Sequence, residues 1–407
     1  MLTALVSGVQ GGKWFSLIDK VYAPGNLLAA FARVAANGGA AGVDHQTVEQ
    51  YASQLAAHQQ QLAQQLRQGT YCPQAVRRVW INKPGRPEKR PLGIPTVRDR
   101  VAQTALRHVL EPIFERDFAA QSYGFRPQRG AKQALRRVDE LLSAGYTWVV
   151  DADLKSYYDT IPHEPLLARI AEKVSDGRVI KLLASYLQQG VLEGMASWTP
   201  EEGTPQGAVI SPLLSNIYLD PLDHLMATKG VEMVRYADDF VILCREAAAA
   251  TAALAWVQEW TSAHQLTLHP QKTRIVDATQ RGGFDFLGYH FERGYKWPRP
   301  QSIQKLRDAI RRKTRRNEGH SLSTIIEEVN LTLQGWFEYF QHSHKTTFGV
   351  QDKWVRMRLR SVLRRRQGLR GRERGTDHRR WPNAYFAQHG LYSLVAAHEA
   401  VCQSSGR

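Results

Sequence analysis

Met233-Val234-Arg235-Tyr236-Ala237-Asp238-Asp239-Phe240-Val241-Ile242-Leu243 reads as a hairpin, two apolar runs joined by a short acidic turn. Two adjacent carboxylates on a buried hairpin repel each other and lose hydration unless a cation neutralises them. A hard divalent ion with oxygen ligands, usually Mg²⁺, meets that need. An isolated Asp pair can equally be a polar turn, so the neighbours decide. Upstream, Thr147-Trp148-Val149-Val150-Asp151-Ala152-Asp153-Leu154 has the profile of a buried strand that ends in acid. Asp153 is the leading third ligand, and Asp151, two positions earlier, faces the same side of that strand. Three such carboxylates suit a two-metal site, in which one ion activates an attacking oxygen and the other steadies a leaving one.

Outward from these strands the pattern alternates between helix and sheet. Helices are expected over 15–67, with the break Asn37-Gly38-Gly39 ending one of them. Val76 to Ile81 and Pro91 to Ile94 read as strands joined by the turn Lys83-Pro84-Gly85-Arg86-Pro87, a basic hairpin. Helical spacing follows at 98–117, 130–142, 163–190 and 246–264, and a strand pair is expected near Phe284–Trp297. From 301 onward the chain reads as mostly helical. There is no internal repeat.

The chain has 407 residues, with 54 Lys plus Arg against 38 Asp plus Glu, a net charge of +16. Its 43% hydrophobic content excludes a wholly disordered or collagenous chain, and three distant cysteines exclude a disulfide scaffold or a Cys-based metal site. No apolar run is long enough to span a membrane and no secretory signal is visible, so a reducing, cytoplasmic setting is expected. The charge is localised. Residues 301–380 hold 20 Lys/Arg and 8 Asp/Glu, about three quarters of the excess in a fifth of the chain. Arg311-Arg312-Lys313, Arg315-Arg316 and Arg364-Arg365-Arg366 alternate with Trp336, Phe337, Tyr339, Phe340 and Trp354. Cations for phosphates beside aromatics for bases point to nucleic acid, and arginines that interrupt the apolar faces argue against a membrane surface.

Six ordered segments carry a resemblance. Tyr236-Ala237-Asp238-Asp239, preceded by Val234-Arg235, resembles the catalytic box of reverse transcriptases. Asp151-Ala152-Asp153-Leu154-Lys155-Ser156-Tyr157-Tyr158-Asp159 resembles the box with the first metal ligand, and Gly203-Thr204-Pro205-Gln206-Gly207 through Leu219 the substrate-positioning segment. Arg90 to Pro95 and Gln121 to Pro127 are further matches, and Phe286-Leu287-Gly288-Tyr289 resembles the primer-contacting hairpin. Within the superfamily the likeness is to bacterial group II intron-encoded reverse transcriptase/maturases. Leu333-Gln334-Gly335-Trp336-Phe337-Glu338-Tyr339-Phe340 resembles their maturase region, and Arg379 to Leu394 their tails.

The resemblance implies an α+β right-hand polymerase: an N-terminal helical extension over 1–75, fingers and palm with an antiparallel sheet over 76–300, a helical thumb/maturase domain over 301–370, and a basic tail over 371–407 that touches target DNA. It implies an RNA-directed DNA polymerase in which Asp153, Asp238 and Asp239 bind two Mg²⁺ ions, Mn²⁺ being a substitute, with Asp151 a neighbour. Tyr158 is then the steric gate against a 2′-hydroxyl and Lys272 the general acid for pyrophosphate. Phe286, Leu287 and Gly288 contact the primer. Lys83 and Arg90 supply a flexible cation and a planar fork for a triphosphate. Gln206 and Gly207 let the backbone approach the incoming base pair. Arg311, Arg312, Lys313, Arg315, Arg316, Arg364, Arg365 and Arg366 face RNA. The implied partners are group II intron RNA, an RNA template with a DNA primer, deoxynucleoside triphosphates and target DNA. No endonuclease domain of paired Cys and His is seen, so a primer is expected from elsewhere. His342 and His344, two apart on a helix, diverge and are assigned no metal. Two other readings stay open: a domesticated reverse transcriptase serving phage defence or a CRISPR system, and a maturase that binds RNA without polymerising.

Overall fold

The computed structural model describes residues 12–82, 89–317, 319–369 and 373–405. The chain divides into two compact units, Met1–Val276 and Asp277–Arg407. The described strands are β1 (Val76–Asn82), β2 (Lys89–Ile94), β3 (Trp148–Asp153), β4 (Val191–Glu193), β5 (Ala196–Trp198), β6 (Glu232–Tyr236), β7 (Asp239–Cys244), β8 (Arg274–Asp277), β9 (Phe284–Phe286), β10 (Tyr289–Glu292) and β11 (Tyr295–Pro298). Strand order in the three sheets is β2-β1-β4-β5, β6-β7-β3-β8 and β11-β10-β9.

The expected hairpin is β6–β7, and β3 lies antiparallel on its other side. Phe240 to Cys244 are buried throughout, because β7 is central in its sheet and covered by helices. The helix Pro24–Asn37 packs against Val97–Glu115, and Ser211–Thr228 and Ala247–Ala263 pack against the sheet. Thr96 starts the second of these, its side-chain oxygen accepting from Asp99 N at 3.1 Å. Leu17, Leu27, Phe31, Leu62 and Tyr71 join the same core, so the N-terminal helices are one body with the strands that follow.

Several elements differ from the sequence reading. The segment 163–190 is two helices, His163–Ala171 and Gly177–Leu187. Asp176 separates them, capping the second helix at Arg178 N and also accepting from Leu17 N at 2.8 Å and Ile18 N at 2.9 Å. The hairpin β4–β5 was not anticipated, and the region near 284–298 has three strands in place of two. The division of the chain falls at 276, ahead of these three strands and not after them. Tyr289 Oη donates to Tyr339 O at 2.6 Å and Ser302 Oγ to Gly288 O at 3.1 Å, tying that sheet to the C-terminal helices.

The second unit has its own core on the helices Pro300–Lys313, Leu322–Phe340 and Thr346–Arg366, with Leu306, Ile325, Leu333, Phe348, Val355 and Leu359 inside. Trp381, Phe386 and Leu394 also belong to it, so the final segment is packed structure and not an appended tail. Among the described residues no helix is long and apolar enough to cross a membrane.

Candidate active site

The strand register places the acids. Asp153, the last residue of β3, lies directly opposite Asp239, the first residue of β7. Asp239 also faces Tyr236 across the hairpin, so Ala237 and Asp238 make the turn. Ala237 has φ of 60°, a left-handed conformation that an alanine adopts only where its surroundings impose it.

Arg235 imposes it. Its guanidinium is fully buried and donates from Nη1 to Ala237 O at 2.9 Å, gripping the turn from behind. The same group donates from Nε to Asp223 Oδ1 at 2.8 Å and from Nη1 to Asn216 Oδ1 at 2.9 Å, both on the helix Ser211–Thr228. Asn216 Nδ2 in turn donates to Gly124 O at 2.8 Å. A Cβ at Gly124 would lie 2.3 Å from Ala237 N, so only glycine lets that segment press against the turn. Arg235, Asp223, Asn216 and Gly124 were not singled out from the sequence. The available signal was a charged residue inside an apolar strand, which needs a buried partner.

Burial pushes the Asp238 carboxyl above its ordinary range, and the Asp153 charge adds to it while Arg90 and Arg235 oppose it. The Lys272 ammonium pairs with Asp153 Oδ2. His269 N donates to Asp153 O at 2.7 Å and Lys155 N to Thr267 O at 2.8 Å, which runs the 267–269 segment along the end of β3 and returns Lys272 to its carboxylate. Asp151 pairs with Arg274 at 3.3 Å. Among the described residues, no three acid, His or Cys side chains converge on one point. The donor set nevertheless fits a hard divalent ion. It is all carboxylate oxygen, two of its members repel, and a cationic side chain already stands on one of them.

Tyr158 lies near these acids. Burial raises its hydroxyl to about 12, with the charges of Asp238, Arg235 and Arg90 also acting on it. Arg90 acts on Asp159 as well, so Arg90, Tyr158, Asp159 and Asp238 share one neighbourhood. Gln206 Nε2 donates to Asp159 Oδ2 at 3.1 Å, and Gln206 O accepts from Gly93 N at 2.7 Å. Gly207, at φ of 108°, would set a Cβ 2.5 Å from Gly93 O. The close approach that requires glycine there is to β2 of the same chain. Lys83 lies outside the described residues.

The remaining expected residues are in the second unit. Phe286 is fully buried on β9, so its side chain belongs to the core; Leu287 and Gly288 form the turn that follows. Tyr339 Oη donates to Leu287 O at 2.8 Å. Arg311, Arg312, Arg315, Arg316, Arg365 and Arg366 are exposed, and Lys313 donates to Glu328 O at 2.7 Å. Arg364 corrects the sequence reading. It is buried and paired with Asp377 at 2.9 Å, because the helix Thr346–Arg366 turns that position toward the C-terminal segment.

Comparison with known proteins agrees with this geometry. The family described as reverse transcriptase (RNA-dependent DNA polymerase) matches residues 81–291, more than half of the chain. The chain belongs to the reverse transcriptase family. Its activity class is RNA-directed DNA polymerase, and reverse transcriptases as a family work with divalent metal ions. A second family, the group II intron maturase-specific domain, matches residues 303–381 of this reverse transcriptase. Protein YkfC of Escherichia coli (strain K12) is 33% identical over 70% of this chain and 80% of its own length. The group II intron-encoded protein LtrA of Lactococcus lactis subsp. cremoris is 43% identical over 40% of this chain, a match that spans 27% of that relative. The 91 kDa protein in the cob intron of Schizosaccharomyces pombe is 41% identical over 37% of this chain and 18% of its own length.

Proposed function

We propose that this reverse transcriptase copies RNA into DNA by extending a primer 3′-hydroxyl, and that its C-terminal unit binds group II intron RNA and assists splicing and mobility. The observation that carries the polymerase reading is the register of Asp153 against Asp239 with Asp238 on the adjoining turn. Asp153, Asp238 and Asp239 would hold two Mg²⁺ ions, with Mn²⁺ as a substitute. When bound, the ions activate the 3′-hydroxyl and offset charge on the leaving pyrophosphate. Lys272, standing at Asp153, donates a proton to that pyrophosphate. Arg90 meets the triphosphate, Gln206 and Gly207 border the incoming base pair, and the Tyr158 ring closes the space a 2′-hydroxyl would need. Leu287 and Gly288 contact the primer through their backbone. The exposed arginines of the second unit meet RNA phosphates, and the chain works in the cytoplasm on intron RNA and target DNA.

Primer extension tests the reading directly. The purified full chain is expected to extend a DNA primer on an RNA template with deoxynucleoside triphosphates and Mg²⁺; no extension with Mg²⁺ or Mn²⁺ would overturn it. RNA crosslinked to the protein in its host is expected to be enriched in group II intron sequence. Enrichment of unrelated RNA alone would replace the maturase role with a domesticated one.

A further inference from the structure

A concentration of positive charge also lies in the first unit, on elements that carry none of the acids. A cavity of about 220 Å³ is lined mainly by the helices Pro24–Asn37 and Val97–Glu115. Arg33, Arg100, Arg107, His108 and Glu111 supply its charged and titratable groups. Three guanidiniums thus share one small space with one carboxylate. Arg107 takes that carboxylate, donating from Nε to Glu111 Oε1 at 2.9 Å. Arg100 donates from Nη1 to Gly38 O at 3.0 Å and from Nη2 to Ala40 O at 2.9 Å, neutral carbonyls that hold the group without offsetting its charge. Its Nε is buried and has no partner. Arg33 makes no hydrogen bond or ion pair among the described residues. Cations gathered in this way repel one another unless an anion joins them.

His108 adds the chemistry that selects among anions. Asn26 Nδ2 donates to Lys20 O at 3.0 Å and to Ala105 O at 3.0 Å, so the amide is oriented and its Oδ1 is the atom that meets His108. Oδ1 can only accept, so His108 Nδ1, 2.9 Å away, carries the proton. Burial and the nearby Arg33 charge push the imidazole below its ordinary range, with Glu111 opposing them. The ring is therefore neutral at neutral pH, and Nε2 holds a lone pair. Among the described residues no group donates to it.

Guanidiniums beside a neutral imidazole acceptor match an anion that also carries an O–H. Hydrogen phosphate is such an ion. Its ionised oxygens accept charge-assisted bonds from arginine, and its hydroxyl donates to an imidazole nitrogen. Sulfate offers the same oxygens without the proton. A drug-sized ligand needs a pocket of about 300–1,000 Å³, so this cavity is too small for a nucleotide. A phosphate within a strand would bring a sugar on either side and fits no better. We propose that the cavity is a site for free hydrogen phosphate, with Arg33, Arg100 and Arg107 taking its charge and His108 Nε2 accepting from its hydroxyl. The site goes beyond the polymerase reading and does not depend on it.

Isothermal titration calorimetry on the full chain, at neutral pH and fixed ionic strength, compares inorganic phosphate with sulfate. Wild type is expected to show one saturable phosphate site, about tenfold tighter than sulfate, the difference made by one hydrogen bond to a buried acceptor. Exposed arginines elsewhere take either ion alike, so the preference belongs to the cavity. Arg33→Ala should weaken phosphate by about tenfold. His108→Phe should keep the sulfate affinity and lose the preference; if that variant melts early for want of its bond to Asn26, Arg33→Ala carries the test. No saturable phosphate binding, equal affinity for the two ions in wild type, or an Arg33→Ala variant that binds like wild type would overturn the site. Displacement of phosphate by adenosine 5′-monophosphate or by a short RNA would overturn it too, by making the cavity part of a nucleotide or strand surface. No primer, template or metal takes part, so failure here leaves the polymerase reading standing, and failure of primer extension leaves this site standing.

Discussion

In the first unit the buried guanidinium of Arg235 stands behind an acidic turn; in the second, the buried guanidiniums of Arg360 and Arg364 stand behind an arginine-rich surface. Arg235 joins Asp223, Asn216 and the Ala237 carbonyl. Arg360 joins Trp381 O at 2.9 Å, Asn383 Oδ1 at 2.7 Å and Glu373 at 3.1 Å, and Arg364 joins Asp377. One residue type thus performs the same internal task, clamping separate chain segments, beside surfaces of opposite sign. Net charge does not reveal this. The cation that grips the acidic turn is buried while Lys272 and Arg90 beside it are exposed, and within the basic run of the second unit Arg364 is buried while its neighbours are exposed.

The largest expected effect breaks the two units apart functionally. Asp238→Ala with Asp239→Ala should lower primer extension at least about a thousandfold, since removing metal ligands forfeits several kcal/mol of transition-state stabilisation. Filter binding of RNA to the same variant should stay within about twofold of wild type, because the exposed arginines are untouched. A parallel collapse of RNA binding would mean that the acidic turn supports the whole molecule and not only its chemistry.

Arg235 sharpens the comparison from the inside. Arg235→Met leaves Asp223 buried without its partner, and a loss of about 3–5 kcal/mol is expected in denaturant unfolding. Combining it with Asp223→Leu removes both charges and should restore much of that stability. Extension should nevertheless stay at least about tenfold low in the double variant, because nothing then holds the Ala237 carbonyl and the turn loses its left-handed constraint. Recovery of both stability and extension would reduce Arg235 to a packing residue.

The two clamps also show what was legible in the sequence. The hairpin and its acids could be read because alternation and burial are local properties, and because Asp153 ends an apolar strand that can only pair inside a sheet. Arg235 was visible in the same stretch, but its partners lie twelve and nineteen residues earlier, on a helix whose polar residues sit among apolar ones. The helix over 163–190 was overextended because Asp176 interrupts it through long-range bonds to Leu17 and Ile18. Arg364 was misread because a run of three arginines says nothing about rotation. On the helix Thr346–Arg366, Leu359, Arg360 and Leu363 face inward with Arg364, whereas Arg365 and Arg366 do not. The close approach of Gly207 to Gly93 could not be read from the sequence, since β2 reaches it only through the fold.

Within the second unit, Arg364→Ala should cost about 3 kcal/mol in unfolding, as Asp377 is left buried and unpaired. The acid behaves accordingly. Burial alone would raise Asp377, but the Arg374 N–H and the Arg364 guanidinium outweigh it and hold the carboxyl below its ordinary value. A depressed carboxyl contributes stability above its unfolded value, and that contribution is lost as pH falls through the folded one. The stability difference between wild type and Arg364→Ala should therefore be full at neutral pH and shrink below about pH 4. A difference that did not change with pH would show that the guanidinium stabilises by packing.

The smallest expected effect lies on the exposed side of the same unit. Arg315→Ala with Arg365→Ala removes two exposed cations and leaves the clamp intact. Surface substitutions of this kind shift stability by no more than about 0.5 kcal/mol, so melting should not move. Intron RNA binding should weaken by about three- to tenfold. Its dependence on the logarithm of salt concentration should become shallower by about one to two units, one for each phosphate that the variant no longer neutralises. Arg364→Ala measured alongside should show the reverse pattern, a lower melting point with an unchanged salt slope in the folded protein. If instead both variants lower the slope equally, the inward residue reaches RNA after all, and the distinction between clamp and surface in the second unit does not hold.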